Sequence, residues 1–99
     1  MEKMLATMTT KPNYESEIIK IVKGNGSPKV ILNQLENYHG SDIADVMEQL
    51  NEQERRKIFR ICPAEMLAEA FSHLEESQAG AYLNEIPLKK VTEILAELE

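Results

Sequence analysis

An ungapped repeat of 24 residues constrains this chain more than any other feature. Ile43, Val46, Met47 and Leu50 recur as Leu67, Ala70, Phe71 and Leu74, then as Val91, Ile94, Leu95 and Leu98. The spacing i, i+3, i+4, i+7 places each set on one stripe of an α-helix. So short a unit has no second layer in which to bury that stripe, so it must stack on its neighbours.

A second stripe keeps the same register, because Ile58, Phe59 and Cys62 recur as Tyr82, Leu83 and Ile86. The repeat is therefore a helix pair. Upstream, Leu35 and Tyr38 precede Phe59 and Cys62 by 24 residues, and Ile19 and Val22 precede Ile43 and Val46 by the same distance, which starts the stack near residue 13. The pattern predicts helices over 13–23, 28–38, 42–50, 52–61, 64–74, 76–85 and 88–98, and no segment alternates as a strand does. The expected fold is all-α, a right-handed superhelix of short helices over residues 13–99. Residues 1–12, with Thr7, Thr9, Thr10 and Pro12, read as a flexible N-terminal lead.

Boundary residues follow the same division. Asn51 and Glu54 have the spacing of a capping box, and Ser27 and Glu75 lie 24 residues to either side of Asn51. Pro28, Pro63 and Pro87 suit the first helical position, where a missing N–H costs nothing. Gly24, Gly26 and Gly40 mark helix exits or turns, and Gly24-Asn25-Gly26 makes a flexible joint after the first helix.

Composition removes several function classes. With 17 acidic against 11 basic residues the net charge is −6, the wrong sign for a nucleic-acid surface. The basic run Arg55-Arg56-Lys57 with Arg60 is bordered by acids and reads as a solvated helix face. The longest charge-free stretch, Ser77 to Asn84, falls far short of the roughly 20 apolar residues of a membrane span. Met1 to Thr10 lacks the apolar block of a signal peptide. The single cysteine, Cys62, sits in an apolar slot and reads as core, in keeping with a reducing compartment.

No Ser, Cys or Asp arrangement has the spacing of a triad, a P-loop or a zinc motif, so no enzyme is expected. His39 precedes a helix and suits local hydrogen bonding at its cap. His73 closes a helix, where an imidazolium would meet the negative end of the dipole. Carboxylates remain. Asp42 and Asp45 flank one helix, and Glu65 and Glu69 lie one turn apart on another, as do Glu93 and Glu97. The plain reading is a solvated acidic face, since like charges at i, i+4 repel by only a few tenths of a kcal/mol. The sharper reading is attraction of Mg²⁺ or Ca²⁺, for which carboxylates are hard oxygen donors.

The run from His39 to Leu50, HGSDIADVMEQL, resembles the HPxDIAExLEEL motif that opens the intracellular N domain of MgtE-type magnesium transporters. Phe59-Arg60-Ile61-Cys62-Pro63 is similar to that family's FRLLP-like link. Ala68 to Leu74 is similar to its AEVLxxL helix, and Tyr82 to Pro87 to its YLxxLP link. The likeness covers residues 38 to 99. Gly40 stands where the family usually has proline, which loosens the start of that helix. The family continues beyond the position of Glu99 through another acidic helix, paired CBS domains and a transmembrane bundle, so the part present here conducts no ions.

The resemblance implies a cytosolic regulatory domain. In the family, the N domain and the CBS domains bind Mg²⁺ through acids at their shared interface, and the bound ions hold the cytoplasmic parts together with the pore closed. The family acid of the AEVLxxL helix corresponds to Glu69. Asp42, Asp45 and Glu65 are added as its neighbours. The implied partners are the CBS and transmembrane domains of one full-length homodimer, with Mg²⁺ bound only weakly by this part alone. An alternative class is a helical-repeat interaction module of the flagellar motor switch type, whose short leucine-rich repeats are similar, although it leaves the His39 to Leu50 motif without an account.

Overall fold

In a computed structural model of the chain, which describes residues 13–99, the repeat folds as the helix pairs its spacing predicts. Among the described residues seven helices follow in order: α1 (Tyr14–Lys23), α2 (Pro28–Leu35), α3 (Gly40–Val46), α4 (Glu52–Ile61), α5 (Ala64–Phe71), α6 (Glu76–Leu83) and α7 (Leu88–Leu98). A 3₁₀ turn over Met47–Gln49 extends α3. There is no strand among the described residues. The lead expected over residues 1–12 lies outside them.

Helix starts obey the capping chemistry. Asn51 Oδ1 accepts from the Glu54 N–H at 2.8 Å while Glu54 Oε1 accepts from the Asn51 N–H at 2.9 Å, a reciprocal box. Ser27 Oγ accepts from the Val30 N–H at 3.3 Å, with Pro28 opening α2. Pro63 and Pro87, however, sit one residue earlier than expected, as N-caps of α5 and α7. Each carbonyl already accepts the first helical bond, Leu67 N–H to Pro63 O at 3.1 Å and Val91 N–H to Pro87 O at 3.0 Å. The residue before a proline is pushed out of the helical region, and Cys62 is accordingly extended.

Helix ends fall two or three residues short of the predicted limits at α2, α5 and α6. The last turn tightens there instead. Tyr38 N–H reaches Leu35 O at 3.1 Å, Leu74 N–H reaches Phe71 O at 3.0 Å, and Ile86 N–H reaches Leu83 O at 3.2 Å, each an i to i−3 bond. No glycine has positive φ, so no left-handed glycine cap ends a helix among the described residues. Gly40 marks no exit at all: it is the first residue of α3.

The odd-numbered helices stack in series, α1 on α3, α3 on α5 and α5 on α7, with α2 and α4 packed beside α1 and on each other. The core is the predicted stripe: Ile43, Val46, Met47, Leu50, Leu67, Ala70, Phe71, Ile58, Phe59 and Cys62 are all buried. Phe59 and Phe71 meet edge to face at 6.0 Å between ring centroids. The stripe departs from expectation most in two helices. In α1 it is Ile18 that is fully buried, with Ile19 only half-buried, because α1 touches α2, α3 and α4 at once and turns accordingly. In α7, Ile94 is buried while Leu95 and Leu98 remain 46% exposed, since α5 covers only one side of that helix.

Basic side chains tie one unit to the next. Lys57 Nζ donates to Val22 O and Gly24 O, at 2.8 and 3.0 Å, closing the end of α1 from α4. Lys90 Nζ donates to Cys62 O at 2.6 Å, closing α4 from α7. Arg55 grips Glu85 in two parallel bonds of 2.9 and 2.8 Å, donates to Leu50 O at 2.5 Å, and lies 4.9 Å from the centre of the Tyr82 ring. The run Arg55-Arg56-Lys57 is therefore not one solvated face. Two of its three cations are partly buried structural donors, and only Arg56 lies on the open side. Burial pushes the Cys62 thiol up to about 12, so it stays protonated and apolar at neutral pH.

Gly40 carries a close contact of its own. A Cβ there would lie 2.7 Å from Glu69 Cγ, 3.0 Å from the Ala70 nitrogen and 3.0 Å from the Glu69 carbonyl carbon. Two of these are backbone atoms of α5, which cannot swing aside. Glycine thus tightens the seat of α3 on α5, the reverse of the looser helix start expected from the missing proline. Gly40→Ala should destabilise the domain by about 1–3 kcal/mol, the usual range for overpacking, as read by urea denaturation.

Two further outcomes follow from the polar ties. Arg55→Ala leaves Glu85 partly buried without its partner and should cost about 2 kcal/mol, while Arg56→Ala, an exposed pair with Glu52, should cost under about 0.5 kcal/mol. Equal losses for the two would refute the distinction. The Lys23 ammonium at 2.6 Å and the Asn51 N–H hold the Glu54 carboxyl below its ordinary 4.5. That stabilisation is complete above pH 4.5 and disappears as pH falls through the lowered value, so Glu54→Gln should flatten the acid limb of the stability profile.

Candidate metal-sensing surface

The face of α5 opposite its apolar stripe carries the acids. Leu67, Ala70 and Phe71 point into the stack, so Glu65 and Glu69, four residues apart, project together on the exposed side. Glu65 also lies in the first turn of α5, where the helix dipole favours a negative charge. Neither forms an ion pair among the described residues.

Both acids line one shallow groove of 320 Å³, whose other walls are Glu36, Tyr38, Pro63 and Met66. Glu36 caps the end of α2 and Tyr38 lies in the link that follows, so the groove runs between the end of α2 and α5. Tyr38 is held in place: its hydroxyl donates to Glu17 Oε1 at 2.6 Å, and its ring meets Tyr14 edge to face at 5.7 Å. The Glu17 bond, burial and the nearby charges of Glu17, Tyr14 and Asp42 all raise the phenol above its ordinary value. It remains a neutral donor at physiological pH.

The four acids singled out from sequence thus divide. Glu65 and Glu69 come together with Glu36, whereas Asp42 and Asp45 do not line the groove. Asp42 serves the backbone instead, one carboxylate oxygen accepting from the His39 N–H at 3.1 Å to start α3. Asp45 is exposed on α3. His39 is the N-cap of α3, and His73 is exposed just past α5 with its N–H on Ala70 O at 3.1 Å. Carboxylates are the right donor type for a hard divalent ion. Their arrangement is not a cage, since no three His, Cys, Asp or Glu side chains among the described residues are grouped to hold a metal.

Glu36 and Tyr38 were not foreseen. They reach α5 only because α3, which follows Tyr38, packs on α5, and no local spacing announces that meeting. The 24-residue register does offer a hint, since it places Glu36 in the slot of Arg60, on the outward side of its helix end.

None of the described helices is long and apolar enough to cross a membrane. Comparison with curated proteins and with solved structures finds no match to the chain. Comparison with protein families matches the model of the MgtE intracellular N domain over residues 38–99. Those residues take in the His39 to Leu50 motif, both proline links, α3 to α7 and the acids Glu65 and Glu69. The family is one of transporter domains, and nothing in it favours the motor-switch alternative. This chain belongs to the MgtE intracellular N domain family.

Proposed function

We propose that the chain is the cytosolic magnesium-sensing part of an MgtE-type transporter, regulating the pore through Mg²⁺-dependent association with CBS domains of the same protein. The observation that carries this reading is the pairing of Glu65 with Glu69 on one open groove, within the stretch that matches the family. Both carboxylates face solvent without a counter-charge among the described residues, which suits a surface completed by a partner. Glu36 adds a third acid to the same groove.

The physical basis is electrostatic. Two acidic surfaces repel, a divalent ion between them reverses the sign of that interaction, and the domain pair then closes. Because the ion has differential affinity for the closed arrangement, its concentration shifts the balance between open and closed states. Glu69 is the leading ligand, Glu65 and Glu36 assist it, and Asp42 and Asp45 contribute only to the field. The stack of α1, α3, α5 and α7 serves as the mount for this surface, and its serial contacts are what a superhelix of short helices requires, the right hand being part of the proposal. In the full-length homodimer the domain would lie on the cytosolic side, and catalysis has no part in this role.

The isolated chain should bind Mg²⁺ with a Kd of about 1 mM or weaker, since hard cations need several oxygen ligands at once. NMR titration should then move the amides around Glu36, Glu65 and Glu69 together. Submicromolar binding abolished by Glu69→Ala would show a complete site and overturn the shared-ligand reading. In the full-length transporter, Glu69→Gln should raise the Mg²⁺ concentration needed to close the pore, and unchanged gating would remove Glu69 from the sensor.

A further inference from the structure

Half of the acidic groove's lining recurs one repeat later in a second groove of different charge. Moving 24 residues along the chain carries Glu36, Pro63 and Met66 of the acidic groove onto Arg60, Pro87 and Lys90, and these line a second groove of 340 Å³ together with Arg56, Phe59 and Glu85. Glu65 maps in the same way onto Lys89 and Glu69 onto Glu93, both exposed and neither lining the second groove.

The second groove is basic at its rim and apolar at its floor. Phe59 is 2% exposed and forms the floor with Pro87. Glu85 brings no free negative charge, because the Arg55 guanidinium holds both its oxygens. Arg60 has no ion-pair partner among the described residues, and Arg56 has only the exposed Glu52 at 2.6 Å, a weak tie. The Lys90 ammonium spends one proton on Cys62 O and keeps its charge. A chain of net charge −6 therefore holds a locally positive recess.

We propose that this recess docks an acidic peptide segment of a partner protein, with one apolar side chain on Phe59 and Pro87 and flanking carboxylates on Arg60, Arg56 and Lys90. Charge complementarity selects the sign of the occupant, and the apolar floor selects a peptide over simpler anions. A flat lipid surface would meet the rim cations but leave the floor unfilled. Nucleic acid is opposed by the acidic groove one repeat away and by the negative net charge. The proposal does not depend on the magnesium reading, which concerns the other groove.

The test uses the whole chain in magnesium-free buffer and a short fluorescein-labelled peptide with one leucine set between pairs of glutamates. Fluorescence anisotropy should show binding that weakens with added salt and falls about tenfold in Arg60→Glu, as loss and reversal of a close charge contact predicts. Replacing the leucine by alanine should weaken it further, and NMR shifts should cluster at Phe59, Arg60 and Leu88 to Val91. Absence of binding at millimolar peptide, or equal binding of the alanine peptide, overturns the proposal. So does displacement of the peptide by inorganic phosphate, or equally strong binding of phosphatidylserine vesicles that Arg60→Glu abolishes. Glu69→Gln, which bears on the magnesium site, should leave peptide binding unchanged.

Discussion

Helices of seven to eleven residues do not hold themselves together in water, and every other feature of this domain follows from that constraint. Each unit gains its stability from the apolar stripe it shares with the next, so the stripe must recur at a fixed interval. Burying one leucine or isoleucine contributes about 1.5–3 kcal/mol, enough for a few such residues per helix to outweigh the poor intrinsic stability of short segments. Fixed spacing in turn fixes where the opposite faces point. The surface chemistry of this chain is periodic because its core is.

Short helices also expose a large proportion of unpaired carbonyls, and the structure meets this need from outside each helix. Lys57 reaches the end of α1, Arg55 the end of the turn after α3, and Lys90 the end of α4. These donors stand in for the left-handed glycine caps that are missing from the described helix ends. They also turn three of the chain's eleven cations toward backbone carbonyls, and none of these three pairs with Glu65 or Glu69. The acidic face is thus partly a by-product of how the helix ends are closed.

Much of this was legible in the sequence. The stripe residues, the Asn51 and Glu54 cap, the helix pairs and the buried Cys62 all follow from local spacing, and local spacing is what a helical repeat encodes. Contacts between units were not legible. Ile18 replaces Ile19 because α1 is turned by three neighbours, Pro63 and Pro87 stand at the cap with extended ψ, and Gly40 is pressed on α5. The same holds at the surface. Glu65 and Glu69 share a helix and could be paired by inspection, whereas Glu36 is brought there by the packing of α3 on α5 and Asp42 is drawn away by the backbone of α3. Arg55 and Lys57 look like surface cations until the carbonyls they serve are in place.

The reach of Lys90 to the Cys62 carbonyl has a consequence for how the stack comes apart. In a simple repeat array each unit has its own stability and a contact term with its neighbour, so the ends fray independently. Here the cap of one unit belongs to the next, and melting α7 would also uncap α4. Fraying at the C-terminal end would then propagate inward instead of stopping at the seam. That end would loosen as one cooperative block, with the acid-bearing α5 caught between the helix that loosens and those it would loosen next.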